Sequence, residues 1–144
     1  MRPTVCYLPA GKDRPPVAWV TSRSNPDPKK LRLLLATKSE QLEYWDAFGK
    51  GKEFTMALDR PALVTGFRIA IHNSETRIAK FAVEVSPDGK TWKRVFDGET
   101  TKKDGIETFS ITPVPAALIR FIGNGNNENM WNSIRHFSPV IKER

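Results

Sequence analysis

The chain has 144 residues, of which 39% are hydrophobic and 27% charged, and its formal net charge is +7 at pH 7. This composition is typical of a globular domain and excludes a largely disordered chain. The length favours a single domain over residues 1–144 with a proper core. The positive charge favours an acidic partner, either nucleic acid, an anionic membrane surface or an anionic polysaccharide, although many proteins are this basic without one.

The N-terminal part of the sequence contains no recognisable targeting signal. Cys6 is the one cysteine of the chain, which excludes an internal disulfide and a multi-cysteine zinc site. The segment MRPTVCYLPAGKDRPP lacks the apolar core of a signal peptide, and no apolar run approaches the length of a membrane span. We therefore expect either a cytoplasmic protein or a module secreted as part of a longer chain, and no membrane span.

The hydrophobic pattern predicts an all-β fold. Residues 1–16 are proline-rich and are predicted to be an extended lead-in before a strand over 17–21, and residues 31–44 favour either a short helix or a compact loop. From residue 52 onward, apolar side chains recur at every second position, which is typical of strands. The predicted strands cover 54–58, 67–71, 81–85, 92–96, 107–111, 118–122 and 136–141.

Turn signals separate these strands. Asp59-Arg60-Pro61 is predicted to be a turn, Pro87-Asp88-Gly89 the turn of a hairpin, and Pro113 and Pro115 a break in the chain. Short strands that alternate with turns predict an antiparallel sandwich or barrel. Its predicted core contains Phe54, Phe67, Ile69, Phe81, Val83, Trp92 and Phe121.

An asparagine-rich loop follows the strand over 118–122 and ends at Trp131. Asparagine and glycine favour turns because they tolerate left-handed backbone. Amide groups beside an aromatic face also suit the hydroxyls and the C–H face of a sugar ring. The alternative is a turn whose asparagines cap their own backbone, with Trp131 filling the core.

The sequence contains no catalytic constellation. Hydrolase, zinc-protease and phosphate-loop motifs are absent, and no spacing marks out a pair of carboxylates for glycosidase work. We therefore expect no enzyme activity. His72 lies at a strand end, where it is either a ligand contact or solvated. Arg77 lies in a loop between strands, and its guanidinium group suits a carboxylate, so it is the stronger candidate.

Three segments resemble the discoidin domain, also called the coagulation-factor C-type domain, between residues 43 and 140. They are YWDAFGKGKEFTMAL, VTGFRIAIHNSETRIAKFAVEVSPDGKTWKRVF with its SxDGxxW hairpin, and ALIRFIGNGNNENMWNSI. Within that superfamily the chain is most similar to carbohydrate-binding modules of family 32, such as those attached to alginate lyases. The resemblance implies an antiparallel jelly-roll β-sandwich of the galactose-binding-domain-like type.

The resemblance also implies where a ligand would bind. Sugar-binding members carry their site in loops at one end of the sandwich, and Arg77 matches an arginine of one of those loops. Trp131 would be either a stacking platform or a core residue. The predicted ligand-binding residues are Asp46, Phe48, His72, Arg77, Asn124, Asn126, Asn129 and Trp131.

A structural calcium ion, which the family often holds, is not expected in this chain. The family usually has an aspartate-glycine-aspartate stretch where this sequence reads LATKSEQLEYW, with Lys38 near the expected acidic position. Calcium needs several oxygen ligands and is opposed by a nearby ammonium group. We therefore expect no cofactor and no metal, and Lys38, if buried, would act as an internal cation instead.

These observations predict a non-catalytic carbohydrate-binding module for an acidic polysaccharide containing uronic acid. Its expected contacts include an attached catalytic domain or a partner protein. The alternative is a protein- or nucleic-acid-binding discoidin-like domain, because the superfamily also binds phospholipid head groups, DNA ends and proteins. A compact basic site at one loop end would favour the glycan, and a long basic stripe would favour nucleic acid.

Overall fold

The architecture is antiparallel β, as the hydrophobic pattern predicts. The computed structural model describes residues 5–7, 16–35 and 43–142. Its elements in chain order are β1 (Val5–Tyr7), β2 (Val17–Thr21), α1 (Pro28–Leu33), β3 (Trp45–Phe48), β4 (Lys52–Ile71), β5 (Ala79–Ser86), β6 (Lys93–Glu99), β7 (Glu107–Asn126) and β8 (Trp131–Lys142). None of the helices within these described ranges is long and apolar enough to cross a membrane.

Two long central strands organise the sheet. The strand order is β1-β2-β4-β7-β5-β6, with β8 pairing with both β4 and β3. All pairs are antiparallel, and β4 and β7 pair along most of their length, from Lys52 opposite Gly123 to Ile69 opposite Glu107. This pairing confirms the expected antiparallel sandwich fold and brings the starts of β5 and β8 to the end where β3 and β7 finish.

The predicted turn at Asp59-Arg60-Pro61 and the break at Pro113 and Pro115 are wrong. Both segments lie inside continuous strands, β4 and β7, and the β4–β7 register shifts between Ala57 and Ala62 at this position. Pro61 and Pro113 fall at register shifts of the β4–β7 pairing, where a residue without an N–H is tolerated, whereas Pro115 lies opposite Leu63. None of the three prolines ends its strand.

The N-terminal part differs in two ways from the prediction. Val5–Tyr7 forms β1 and pairs with β2, so this portion of the predicted lead-in is a regular strand. The helix begins at Pro28, earlier than predicted, because the Asp27 side chain accepts a hydrogen bond from Lys29 N at 3.0 Å and caps it. Residues 36–42, including Lys38, lie outside the described residues, so the predicted independence from calcium stays a prediction.

The core is built around stacked phenylalanines. Phe54 and Phe121 stack with centroids 4.9 Å apart, and Phe121 stacks on Phe81 at 5.5 Å. The predicted core residues that are confirmed are Phe54, Phe67, Ile69, Phe81, Val83 and Phe121. Trp92 is the exception: it is half-buried just before β6, and the Arg120 guanidinium lies 3.8 Å from its ring centroid. Trp92 therefore covers an arginine on the sheet surface.

Candidate functional site

Loops from separate parts of the chain meet at the end of the sandwich where β3 finishes and β8 begins. Gly49 N donates a hydrogen bond to Met130 O at 2.9 Å, which joins the turn after β3 to the loop before β8. Asn127 N donates to Ile78 O at 3.2 Å, which joins that second loop to the loop between β4 and β5. We call this surface the loop end, and it comprises residues 49–51, 72–78, 100–106 and 127–130.

Phe48 and Trp131 form an exposed aromatic pair at the loop end. They face each other across the β3–β8 pairing, with ring centroids 5.2 Å apart and an interplanar angle of 72°. Phe48 is 56% exposed and Trp131 is 42% exposed, and these are the two large hydrophobic side chains that are exposed in the described part of the chain. The alternative of Trp131 as a core residue is therefore wrong.

The β3–β8 ribbon carries this aromatic pair on one face. Trp45 and Ala47 of β3 are buried, so by alternation Asp46 and Phe48 lie on the opposite face. Arg135 is four residues after Trp131 in β8, at the register shift of the β4–β8 pairing between Ala70 and Ile71. At about 3.3 Å per residue, the two positions are separated by roughly 13 Å. The ribbon thus connects the aromatic pair to a basic region further along β8.

That basic region borders a cavity of about 290 Å³. Gly105 N donates to Ser74 Oγ at 3.3 Å, so the loop between β6 and β7 closes one side. The ring centroid of Tyr44 lies 4.5 Å from that of His72 on the adjoining ribbon. The lining residues are His72, Asn73, Ser74, Glu75, Thr76, Asp104 and Arg135.

His72 lines this cavity, and its imidazole is affected by burial and by two nearby arginines. Its pKa is lowered from the ordinary value first by burial and then by the charges of Arg77 and Arg135. Burial and neighbouring cations both disfavour the imidazolium form, so His72 is neutral at pH 7 in the unliganded protein. The lining thus places Arg135 and His72 beside the carboxylates of Glu75 and Asp104, while Arg77 lies close enough to act on His72 without lining the cavity.

Arg77 is paired with a carboxylate of the protein itself. Its Nε lies 2.8 Å from Glu128 Oε1, and the two side chains are 16% and 45% exposed. The ion pair joins the loop between β4 and β5 to the loop before β8. It engages Nε, whereas Nη1 and Nη2 are the donors that a ligand carboxylate would need for a two-bond contact. A ligand that binds Arg77 must therefore share it with Glu128.

Two of the predicted asparagines hold their own loop in shape. Asn126 Oδ1 accepts hydrogen bonds from Glu128 N and Asn129 N, and its Nδ2 donates to Trp131 O at 2.8 Å. Asn129 Oδ1 accepts from Trp131 N at 2.9 Å. These bonds follow the pattern of the turn-capping alternative. The two amides thereby fix the position of Trp131, and direct contact with a ligand stays a prediction.

Asn124 and Asp46 are also engaged within the protein. Asn124 Oδ1 accepts from Gly51 N at 3.1 Å, and Asn25 Nδ2 donates to Asp46 O at 2.8 Å and to Asp46 Oδ1 at 3.4 Å. Asp46 is half-buried on the outer face of the ribbon. Of the eight predicted residues, three lie on the ribbon, three lie in the loop end, and Asn124 and Asn126 lie at the adjoining end of β7.

Sequence reasoning missed four residues of this region. Asp104 and Arg135 border the cavity, and Tyr44 contacts His72. Buried Asn132 donates through Nδ2 to Gly49 O at 2.8 Å and so ties β8 to the turn after β3. Arg135 was detectable as a cation four residues after Trp131. Asp104 and Asn132 gave no local signal, because their partners are distant in sequence.

This combination of a jelly-roll sandwich and a loop-end site with exposed aromatic rings defines a binding domain of the discoidin class. Residues 18–137 match the F5/8 type C domain family, and the chain belongs to that family. The resemblance to the discoidin domain is therefore confirmed. The matched range includes Phe48, Trp131 and every residue that lines the cavity.

Individual relatives are more distant. The CBM32 of AlyQ, solved in complex with 4,5-unsaturated mannuronic acid, is 24% identical with a TM-score of 0.78, covering 90% of this chain and 98% of that one. A pectin binding carbohydrate binding module is 22% identical with a TM-score of 0.74, covering 90% and 97%. Likeness at these identities establishes the fold alone.

One curated relative is an animal protein of much greater length. BTB/POZ domain-containing protein 9 of Drosophila melanogaster is 28% identical over 91 residues. The match covers 59% of this chain and 12% of that protein. The domain thus corresponds to a small part of a much longer relative.

Proposed function

We propose that this chain is a non-catalytic carbohydrate-binding module that binds an acidic polysaccharide containing uronic acid at its loop end. The observation that carries the proposal is the exposed pair of Phe48 and Trp131 on the β3–β8 ribbon, because Arg135 of the same ribbon borders the cavity. Exposed large aromatics that adjoin a charged pocket mark interaction sites more often than chance surface residues do.

The aromatic pair would bind the apolar face of a sugar ring. Aromatic side chains bury a large area and accept C–H groups on their electron-rich faces. Both rings belong to strand residues in register, and the loop amides hold the backbone next to Trp131. The two side chains therefore lose little conformational entropy on binding, which favours affinity.

The charged part of the site would bind a carboxylate. Arg77, Arg135 and His72 are close enough for the two arginines to lower the pKa of the histidine. Such a field attracts anions, and a guanidinium group pairs with a carboxylate through two charge-assisted hydrogen bonds. Uronic acids combine a stacking sugar ring and a carboxylate in one residue, so they fit both halves of the site.

The comparisons support this ligand class. One similar structure holds 4,5-unsaturated mannuronic acid and the other is named for pectin binding, and both names refer to acidic sugars. An attached catalytic domain, a partner protein and nucleic acid stay further predictions for this chain.

Calorimetric titration of oligouronates into the wild type and Arg77→Ala tests the proposal. Loss of a charge-assisted hydrogen bond costs about 1.5–3 kcal/mol, so the affinity should fall roughly ten- to a hundred-fold. The melting temperature should hardly change, because exposed ion pairs contribute about 0–1 kcal/mol. Lys93→Ala is the matched control, since Lys93 is an exposed cation on β6 opposite Val85, away from the loop end. Equal affinities in wild type and Arg77→Ala would remove Arg77 from the site.

A parallel titration with DNA oligonucleotides at about 50 and 200 mM salt tests the nucleic-acid alternative. We expect weak binding of DNA with no preference over other polyanions. Tight DNA binding with a steep salt dependence, together with no binding of oligouronates, would replace the glycan proposal.

A further inference from the structure

A second cavity, of about 550 Å³, lies on the outer face of the sheet beside the turn that follows Phe48. It is larger than the loop-end cavity and falls in the size range of ligand pockets. We call it the sheet-face groove. Residues on its walls include Thr21, Arg23, Gly51, Glu53, Thr55 and Arg120.

The groove is part of a polar row that crosses the sheet. Thr21 pairs with Thr55, Thr55 with Arg120, Arg120 with Glu84, and Glu84 with Arg94. Directly opposed side chains in a sheet point to the same face. The row therefore extends from β2 through β4, β7 and β5 to β6, and Arg120 is its central cation.

Arg120 is held in place before any ligand binds. Its Nη2 and Nε lie 2.6 and 3.2 Å from Glu84 Oε1, and its guanidinium lies 3.8 Å from the centroid of Trp92. Arg94 contacts the other oxygen of Glu84 at 3.4 Å. An arginine fixed in this way loses little entropy when it binds an anion, and because Nε and Nη2 are engaged by Glu84, a ligand carboxylate would contact Nη1.

Glu53 and its neighbours supply the complementary polar groups. Glu53 Oε1 accepts from Arg23 N at 2.9 Å, and Thr55 Oγ1 lies 3.3 Å from Glu53 Oε2. A carboxylate accepts hydrogen bonds from hydroxyl groups, and threonine both donates and accepts them. The groove thus combines acceptors for sugar hydroxyls with a fixed guanidinium group for an acid.

The groove is continuous with the loop end. Gly51 lines the groove and is also bonded through its N–H to Asn124 of β7. Phe48 is three residues earlier, which limits the separation along the chain to about 10 Å. The intervening turn has positive φ at Gly49 and Gly51, so it folds tightly. A linear polymer stacked on the aromatic pair would pass over this turn into the groove.

We propose that the sheet-face groove is a second subsite for the same acidic glycan chain that the loop end binds. The carboxylate of one uronate unit pairs with Arg120, and hydroxyls of the chain bond to Glu53 and Thr55. This inference rests on the proposed function, because it assigns the continuation of the ligand whose first units bind Phe48 and Trp131.

Titration of a diuronate and an octauronate tests the subsite through its dependence on length. The wild type should bind the octamer about ten-fold more tightly than the dimer, because only the octamer reaches Arg120. Arg120→Lys, which keeps the charge but loses the planar fork, should remove most of this difference and leave dimer affinity unchanged. Arg94→Lys is the matched control, since Arg94 also contacts Glu84 but does not line the groove.

A second variant keeps the test independent of the Arg120 network. Thr55→Glu places another carboxylate beside Glu53 and should weaken the binding of the octamer alone. The matched control is Thr108→Glu, which adds the same charge at an exposed position near the start of β7 and should not weaken binding. Trp131→Ala should weaken both lengths. Equal wild-type affinities for dimer and octamer, or equal losses for both in the Arg120 and Thr55 variants, would overturn the subsite but not the loop-end proposal. Failure of both lengths to bind the wild type would overturn both.

Discussion

The buried aromatic core and the exposed aromatic pair use the same residue types for opposite purposes. The four-residue strand β3 carries one member of each, with Trp45 fully buried and Phe48 56% exposed. Three positions apart in a strand, two side chains point to opposite faces. Trp45 packs edge-on against Phe54 at 5.1 Å, whereas Phe48 contacts Trp131 at the surface. We expect the core rings to determine stability and the exposed rings to determine binding.

The largest expected effect is on the core side of this comparison. Phe121 is 1% exposed and stacks on both Phe54 and Phe81. Phe121→Ala should lower the free energy of unfolding by about 3–5 kcal/mol, because it removes buried area and leaves a cavity. Urea denaturation measures the change. A loss below about 1 kcal/mol would show that the stacked rings do not form the core.

The exposed side of the comparison predicts the reverse pattern for Trp131→Ala. Oligouronate affinity should fall by about ten-fold or more, as for an aromatic hot spot, while the free energy of unfolding changes by less than about 1.5 kcal/mol. Calorimetry and urea denaturation on the same sample measure the two quantities. Trp131→Phe should restore part of the affinity, since it keeps a stacking face. Strong destabilisation without loss of affinity would assign Trp131 to the fold.

Period-two hydrophobicity predicted most of the fold because burial alternates along each half-buried strand. Phe54, Phe67 and Phe81 follow this rule and are buried. The turn signal failed at Asp59-Arg60-Pro61, because β4 continues through these residues although they fall in a register shift of its pairing with β7. The hydrophobic pattern failed at Trp92, because a large ring can cover a charged neighbour on the surface.

The candidate site was predictable only in part. Phe48, Trp131 and Arg77 were found through the family resemblance and through their positions at strand ends. The partnership of Arg77 with Glu128 was not, because the two residues are 51 positions apart and meet only when the loops pack together. Likewise, the side chains of Asn126 and Asn129 bond to the backbone of their own loop. These bonds depend on a backbone geometry that spacing in the sequence does not specify.

A smaller effect should follow from removing the internal competitor for Arg77. Glu128→Gln deletes the carboxylate that contacts Arg77 Nε but keeps the backbone N–H that bonds to Asn126. Because an exposed ion pair contributes about 0–1 kcal/mol, oligouronate affinity should rise by at most about five-fold. Asp97→Asn is the matched control, since it removes the same charge from another exposed pair, with Arg94. A fall in affinity would mean that Glu128 holds Arg77 in its binding position.

The smallest expected effect concerns pH, and it distinguishes binding at the loop-end cavity from binding at the aromatic pair. The pKa of His72 is lowered by burial, then by Arg77 and Arg135, whereas in the unfolded chain it lies near the ordinary value of about 6.5. The unfolded state therefore takes up a proton first as the pH falls, so the stability that His72 contributes is present above about pH 6.5 and is lost towards its lowered pKa.

Ligand binding reverses the direction of this pH effect. A bound carboxylate stabilises the imidazolium form and raises the pKa of His72, so oligouronate affinity should increase modestly between about pH 7.5 and 5.5. Asp104, Glu75 and Arg135 also line the cavity and face His72. His72→Gln should flatten the profile. An unchanged profile in His72→Gln, measured by calorimetry across this range, would place the ligand carboxylate away from the cavity and leave the aromatic pair as the whole site.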